Sequence, residues 1–258
     1  MYHDVISGDP PQNSGFPSPD AGLYKLTVNQ FDDHLITLAQ NDLSPITVFD
    51  LPHGSELPWM VTFDDGGISA WTIVAERLEA RGWRGHFFVT TDFIDTPSFL
   101  TQAQIRDLHN RGHVIGSHSC SHPLQMARLP SVDILREWKD SVQVLSSILG
   151  HTIDVASVPG GQYSREVGEA AAAAGIRILF TSEPTVRHER IGNCLVLGRY
   201  AIQRWTLPKT AADIALGHLG PRLQQSLIWN AKKIVKALGG AQYLRVRRAI
   251  SSLVVLLF

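Results

Sequence analysis

The chain has 258 residues, 44% of them hydrophobic and 18% charged, with a net charge of −1. This balance suits one globular enzyme with a sizeable core and excludes a disordered chain, while the near-neutral total predicts no nucleic-acid partner. Two cysteines, Cys120 and Cys194, are too few for a disulfide framework and favour a cytoplasmic setting.

In chain order, short apolar runs predict strands at 1–3, 46–49, 59–63, 85–89, 114–117, 155–158, 177–180 and 195–200. Helical periodicity predicts helices at 29–40, 69–81, 101–111, 132–149 and 164–174. Gly82, Gly112, Gly150 and Gly175 stand just past four of these, where a left-handed residue closes the last turn. The segment from Gly8 to Gly22, rich in Pro, Gly, Ser and Asp, reads as an irregular loop at the edge of a cleft. Alternating strands and helices imply an α/β fold, a parallel sheet closing into a seven- or eight-stranded (β/α) barrel that is distorted or incomplete. In such barrels the functional groups gather at the carboxyl ends of the strands.

Three segments fall at those ends. Thr62-Phe63-Asp64-Asp65-Gly66 closes the strand at 59–63, and neighbours on an extended chain point to opposite sides, which suits Asp64 and Asp65 to different tasks. His118 and His122 follow the strand at 114–117, and one helical turn would put both imidazoles on one face, as a shared metal ion requires. Pro159-Gly160-Gly161 forms a turn after the strand at 155–158. One spare carboxylate beside an Asp/His/His set leaves open coordination positions, the mark of a catalytic metal site. The bland alternatives are a solvated aspartate turn and two hydrogen-bonded core histidines.

These segments, together with Gly85-His86-Phe87-Phe88-Val89-Thr90 and Leu108-His109-Asn110-Arg111-Gly112-His113, resemble the polysaccharide deacetylase family, also called the NodB-homology family. Its signatures are Thr-Phe-Asp-Asp-Gly and His-Ser-x-x-His, and the resemblance runs from about Met1 to about Trp205. It implies a metal-dependent hydrolase removing N-acetyl groups from an amino-sugar glycan or a lipid-linked glycan precursor. It further implies that Asp65, His118 and His122 hold one divalent ion, zinc by preference, that Asp64 is the general base, and that the Gly160 N–H binds the oxyanion. Tyr163 and Arg199 are candidate substrate contacts, with Trp71 and Trp205 able to stack on sugar faces.

Two features depart from the family pattern. Ser157 stands where the family has the arginine that orients the base, and Arg199 or Arg204 is positioned to supply that charge instead. The late segment 196–205 lacks the family's histidine acid, which leaves His218 and His3 as candidates. The rival readings are a deacylase of a small non-sugar amide and a glycan-binding homologue with impaired catalysis.

The C-terminal region differs in charge from the rest. After Asp213 come Arg222, Lys232, Lys233, Lys236, Arg245, Arg247 and Arg248 without one acidic residue. Ile228, Ile234, Val235 and Leu238 give a helical apolar pattern among them, and the chain ends Leu253-Val254-Val255-Leu256-Leu257-Phe258. The expected organisation is a barrel over 1–213 and a basic helical extension over 214–258. That extension packs on the barrel or meets an anionic membrane as a peripheral contact. The apolar end is shorter than the ~20 residues of a spanning helix, and no secretion signal opens the chain.

Overall fold

The computed structural model describes residues 1–8, 14–41, 44–50 and 59–239. A short parallel pair, β1 (Val5–Ile6) and β2 (Leu26–Thr27), precedes the main sheet. That sheet comprises β3 (Thr62–Phe63), β4 (His86–Val89), β5 (Val114–Ser117), β6 (Val155–Ser157), β7 (Ile178–Phe180), β8 (His188–Ile191) and β9 (Cys194–Leu197). Its order is β3-β4-β5-β6-β7-β9-β8, parallel throughout except for the antiparallel β8–β9 pair. Tyr2 bridges Phe63 beside β3, and β3 and β8 form the two ends, so the sheet is an incomplete barrel.

Local sequence starts and stops the flanking helices. α1 (Pro19–Gly22) sits within the segment expected to be irregular, and α2 (Val28–Ala39) opens on a capping box of Thr27 and Gln30. The predicted helix at 69–81 is a π-helical turn, Ala70–Val74, running into α3 (Ala75–Glu79). α4 (Gln102–Asn110) repeats the capping box with Thr101 and Gln104. α5 (Ser131–Leu149) ends at Gly150, left-handed as expected, and α6 (Arg165–Ala173) is capped by Ser164. α7 (Pro208–Ala215) packs on α2 and leads into α8 (Leu219–Gly239). No described helix is long and apolar enough to cross a membrane. The apolar C-terminal end, with Arg245, Arg247 and Arg248, lies outside the described residues.

The core lies mainly between the sheet and its helices, with a smaller cluster of Val48, Phe88, Val114, Val155 and Phe180 on the other face. Phe31, Phe63, Phe87, Leu100 and Leu108 pack between it and α2 to α4, and Trp138, Ile134, Ala156, Val167 and Leu179 fill the space under α5 and α6. Each such fully buried large side chain contributes about 1.5–3 kcal/mol.

Two predicted strands differ, and one observed strand has no counterpart among those predicted. The run at 46–49 is not a strand: Val48–Asp50 is a 3₁₀ turn, and the Val48 N–H is taken by the His86 Nε2 (2.9 Å) in place of a ladder partner. The predicted first strand contributes only the Tyr2 bridge. β8 went unpredicted because three of its four residues, His188, Glu189 and Arg190, are exposed and polar, leaving no apolar run to read.

Candidate active site

Asp64 and Asp65 leave the end of β3 as it meets a Gly66-Gly67 turn, and His118 leaves the end of β5 two strands away. The His118 Nε2 and His122 Nε2 each lie 3.4 Å from the same oxygen, Asp65 Oδ1. Ligand atoms around one tetrahedral ion with bonds near 2.0 Å are about 3.3 Å apart, so the three donors fit one small divalent cation. Among the described residues this is the one such group of three or more, with Asp65 and His118 buried.

The two histidines do not share a helical turn. Ser119 (φ 64°) and His122 (φ 58°) are left-handed, and so is Asp65 (φ 78°), making three of the five described non-glycine residues with positive φ members of this site. The loop is held by side chains: Ser119 Oγ accepts from the His122 N–H (3.1 Å), and Glu137 of α5 accepts from the Cys120 and Ser121 N–H groups (3.0 and 2.8 Å). The His118 Nδ1 lies 2.7 Å from Ser157 Oγ and 3.0 Å from the Ser157 carbonyl. A proton there leaves the Nε2 lone pair facing Asp65.

Asp64 faces a different partner. Arg199, two residues past the end of β9, donates from Nη1 to Asp64 Oδ1 (2.7 Å) and from Nη2 to Oδ2 (2.8 Å), a bidentate pair with both side chains buried. Its remaining donors reach Thr62 Oγ1 (3.1 Å), Ser157 Oγ (3.2 Å) and the Thr181 carbonyl (3.0 Å). Burial pushes Asp64's pKa upward, but Arg199 and then His118 outweigh it and hold the carboxyl at about 2. Desolvation likewise opposes ionisation of Asp65, which His118 and His122 hold well below the usual carboxylate range.

Beneath the site, the buried Asp4 accepts from Ser14 Oγ (2.6 Å) and Ser69 Oγ (2.8 Å), with burial pushing its pKa up to about 6. This knot fixes the segment carrying Phe16, whose ring lies 4.7 Å from His122 and 5.1 Å from Phe99. It also explains Gly67: a Cβ there would stand 2.0 Å from Asp4 Oδ1.

The other expected residues divide. Gly160 is exposed at the end of β6 with φ 63°, and a Cβ would lie 2.8 Å from the Leu124 carbonyl, so the turn requires glycine. Arg199 is not free to contact substrate, because its donors are spent on Asp64 and its neighbours. Tyr163 donates to Glu189 of β8 (3.3 Å), Trp71 donates to Asp107 (2.7 Å), and Trp205 is 37% exposed. Arg204 is exposed, and His218 is held by Asp213 (3.0 Å). His3 stands in the field of Asp65 and Asp64; among the described residues its buried Nδ1 has no hydrogen-bond partner. Sequence reading missed Glu137, Asp4, Ser14, Ser69 and Phe16. None carries a local motif, although the Gly8 to Gly22 segment was placed at a cleft edge.

Residues 53–179 match the family model described as polysaccharide deacetylase. YxkH of Bacillus subtilis (strain 168), itself named a polysaccharide deacetylase only provisionally, is 24% identical over 191 residues, covering 71% of this chain and 63% of its own length. The chain thus spans less than two thirds of that relative. Among solved structures, the Streptococcus pyogenes deacetylase PplD in complex with acetate aligns with a TM-score of 0.67 at 18% identity, covering 81% of this chain and 93% of its own. IcaB from Ammonifex degensii aligns with a TM-score of 0.66 at 19% identity, covering 83% and 96%. At these identities the structures establish a shared fold.

Proposed function

The chain belongs to the polysaccharide deacetylase family, and on that premise we propose that it is a metal-dependent amidase removing N-acetyl groups from an amino-sugar glycan or a lipid-linked glycan precursor. The observation that carries the reading is the division of labour between adjacent carboxylates: Asp65 with two imidazoles at 3.4 Å, and Asp64 gripped by Arg199. A divalent ion, zinc by preference, held by Asp65, His118 and His122 would acidify a water and polarise the amide carbonyl.

The chain's own groups supply the rest. Asp64 accepts the proton of the attacking water, with Arg199 fixing the orientation of the carboxylate. The Gly160 N–H, set by a rigid turn, donates to the developing oxyanion without reorganising. His3 is the candidate proton donor to the leaving amine, because its ring stands in the field of Asp65 and Asp64 and its buried Nδ1 has no hydrogen-bond partner among the described residues. Arg199 and His3 together supply the charge and the acid that Ser157 and segment 196–205 lack, which weighs against an impaired homologue. Two free thiols, Cys120 and Cys194, support a cytoplasmic setting.

The test is acetate release from N-acetylglucosamine oligomers by chelated protein with and without added zinc. Release that depends on the ion is expected. Absence of release from every N-acetylated oligomer, or release unaffected by the chelator, would overturn the reading.

A further inference from the structure

Helix α8 docks on the barrel largely through polar groups and leaves several leucines outward. One face is polar and docks on the barrel: Arg222 donates to the Ile214 carbonyl (3.0 and 2.7 Å), and Gln225 pairs with both backbone groups of Ala201 (2.9 and 3.1 Å). On the same face Ser226 donates to the Pro184 carbonyl (2.5 Å), and Lys233 pairs with Glu183. Outside that docked face, beginning beside it, run Leu219, Leu223 and Leu227, four residues apart on one stripe and 72%, 57% and 71% exposed, with Ile228 at 41% and the exposed polar Gln224 and Asn230 around them. A helix with only water outside puts its leucines inward and its Gln and Arg outward. Single exposed leucines are ordinary, but a stripe of them left outward while Arg222, Gln225 and Ser226 are used for docking marks a surface suited to an apolar environment.

The stripe is tied to the active-site rim. Trp229 of α8 lies against Gly161, where an added Cβ would be 3.0 Å from the indole ring, and Gly160 next to it rests on Leu124, the most exposed large hydrophobic residue described, at 75%. Charge identifies the occupant. Seven Lys and Arg residues and no Asp or Glu follow Asp213, and five of them remain besides Arg222 and Lys233, which the barrel holds. Leucines backed by acid-free basic sequence suit the boundary between lipid headgroups and acyl chains of an anionic bilayer. A second copy would bring the same acid-free basic sequence after Asp213 and no complementary charge there.

We propose that the outer face of α8 is a docking surface for an anionic membrane, seating the helix in the interface with the mouth of the site at the membrane surface. The inference concerns binding alone and stands whether or not the chain hydrolyses an N-acetyl group. It is tested by sedimenting the full chain with vesicles of phosphatidylglycerol and phosphatidylcholine, and with phosphatidylcholine alone, at low and high salt. The comparison protein is the Leu219→Ser, Leu223→Ser, Leu227→Ser triple variant. The wild type is expected to sediment with the anionic vesicles and to be released by salt, with at least a tenfold weaker partition for the triple variant at an unchanged melting temperature. Equal sedimentation of the two proteins overturns the proposal. So does a wild-type dimer that the triple variant dissociates without any vesicle binding, which would assign the face to a second copy. A marked fall in melting temperature of the triple variant, with no vesicle binding by the wild type, also overturns it and assigns the stripe to contacts with residues 240–258.

Discussion

Asp64 meets a guanidinium and Asp65 meets two imidazoles, although the carboxylates are neighbours in the chain. The left-handed Asp65 backbone permits this by turning the second side chain toward the histidines. Arg199 is the positioning residue for Asp64, and its removal should show in the pH profile as well as the rate. Burial alone would raise the Asp64 pKa, and Arg199 is the largest influence holding it down to about 2. In Arg199→Gln the acid limb of kcat/KM should therefore move to higher pH. The rate should fall by about 100-fold, inside the range for loss of a well-placed general base, with metal content retained. An unmoved acid limb would show that Arg199 does not act through Asp64. The contiguous residues of this site were legible in sequence because each signature lies at one strand end. Arg199 was legible only as one of two candidates, since 135 residues separate it from Asp64 and nothing local marks the pair. Glu137 reaches the histidine loop from another helix, so no spacing rule announces it.

At the scale of elements, His86 on β4 shows why the run at 46–49 failed to become a strand. Its Nδ1–H donates to the Val61 carbonyl (3.0 Å) and its Nε2 accepts from the Val48 N–H (2.9 Å), so one buried neutral ring ties the 3₁₀ turn to the sheet. Val48 then packs with Phe88 and Phe180, which accounts for an apolar run without a ladder. Burial lowers the His86 pKa from 6.5 to about 4. The unfolded chain binds a proton below pH 6.5 that the folded ring refuses until about pH 4. Stability from this group is thus complete above 6.5 and is lost as pH falls toward 4, by roughly 3 kcal/mol. Urea unfolding at pH 7 and pH 4.5 in chelator should show a smaller acid loss for His86→Gln than for the wild type. Equal losses would place the acid sensitivity elsewhere. The helices were legible through their caps and terminal glycines, which act within a turn. β8 was not, because an exposed edge strand pairing only with β9 has no need of an apolar face.

For the whole molecule, the incomplete barrel brings the ends of β3, β5, β6 and β9 to one rim, so residues from four distant segments share one small volume. Strand and helix alternation made that rim legible. The outward leucines of α8 were not, since the charge run beyond Asp213 was readable but the side on which leucines would fall was not. Catalysis at this site depends on the adjacent carboxylates doing different work. The most direct measurement compares acetate release and bound metal for Asp64→Asn and the wild type. Loss of about 10²- to 10⁴-fold in kcat with metal content unchanged is predicted, because Asn keeps the shape but cannot accept the water's proton. Retained activity, or metal lost in parallel with activity, would contradict the assignment of Asp64 as base and Asp65 as ligand.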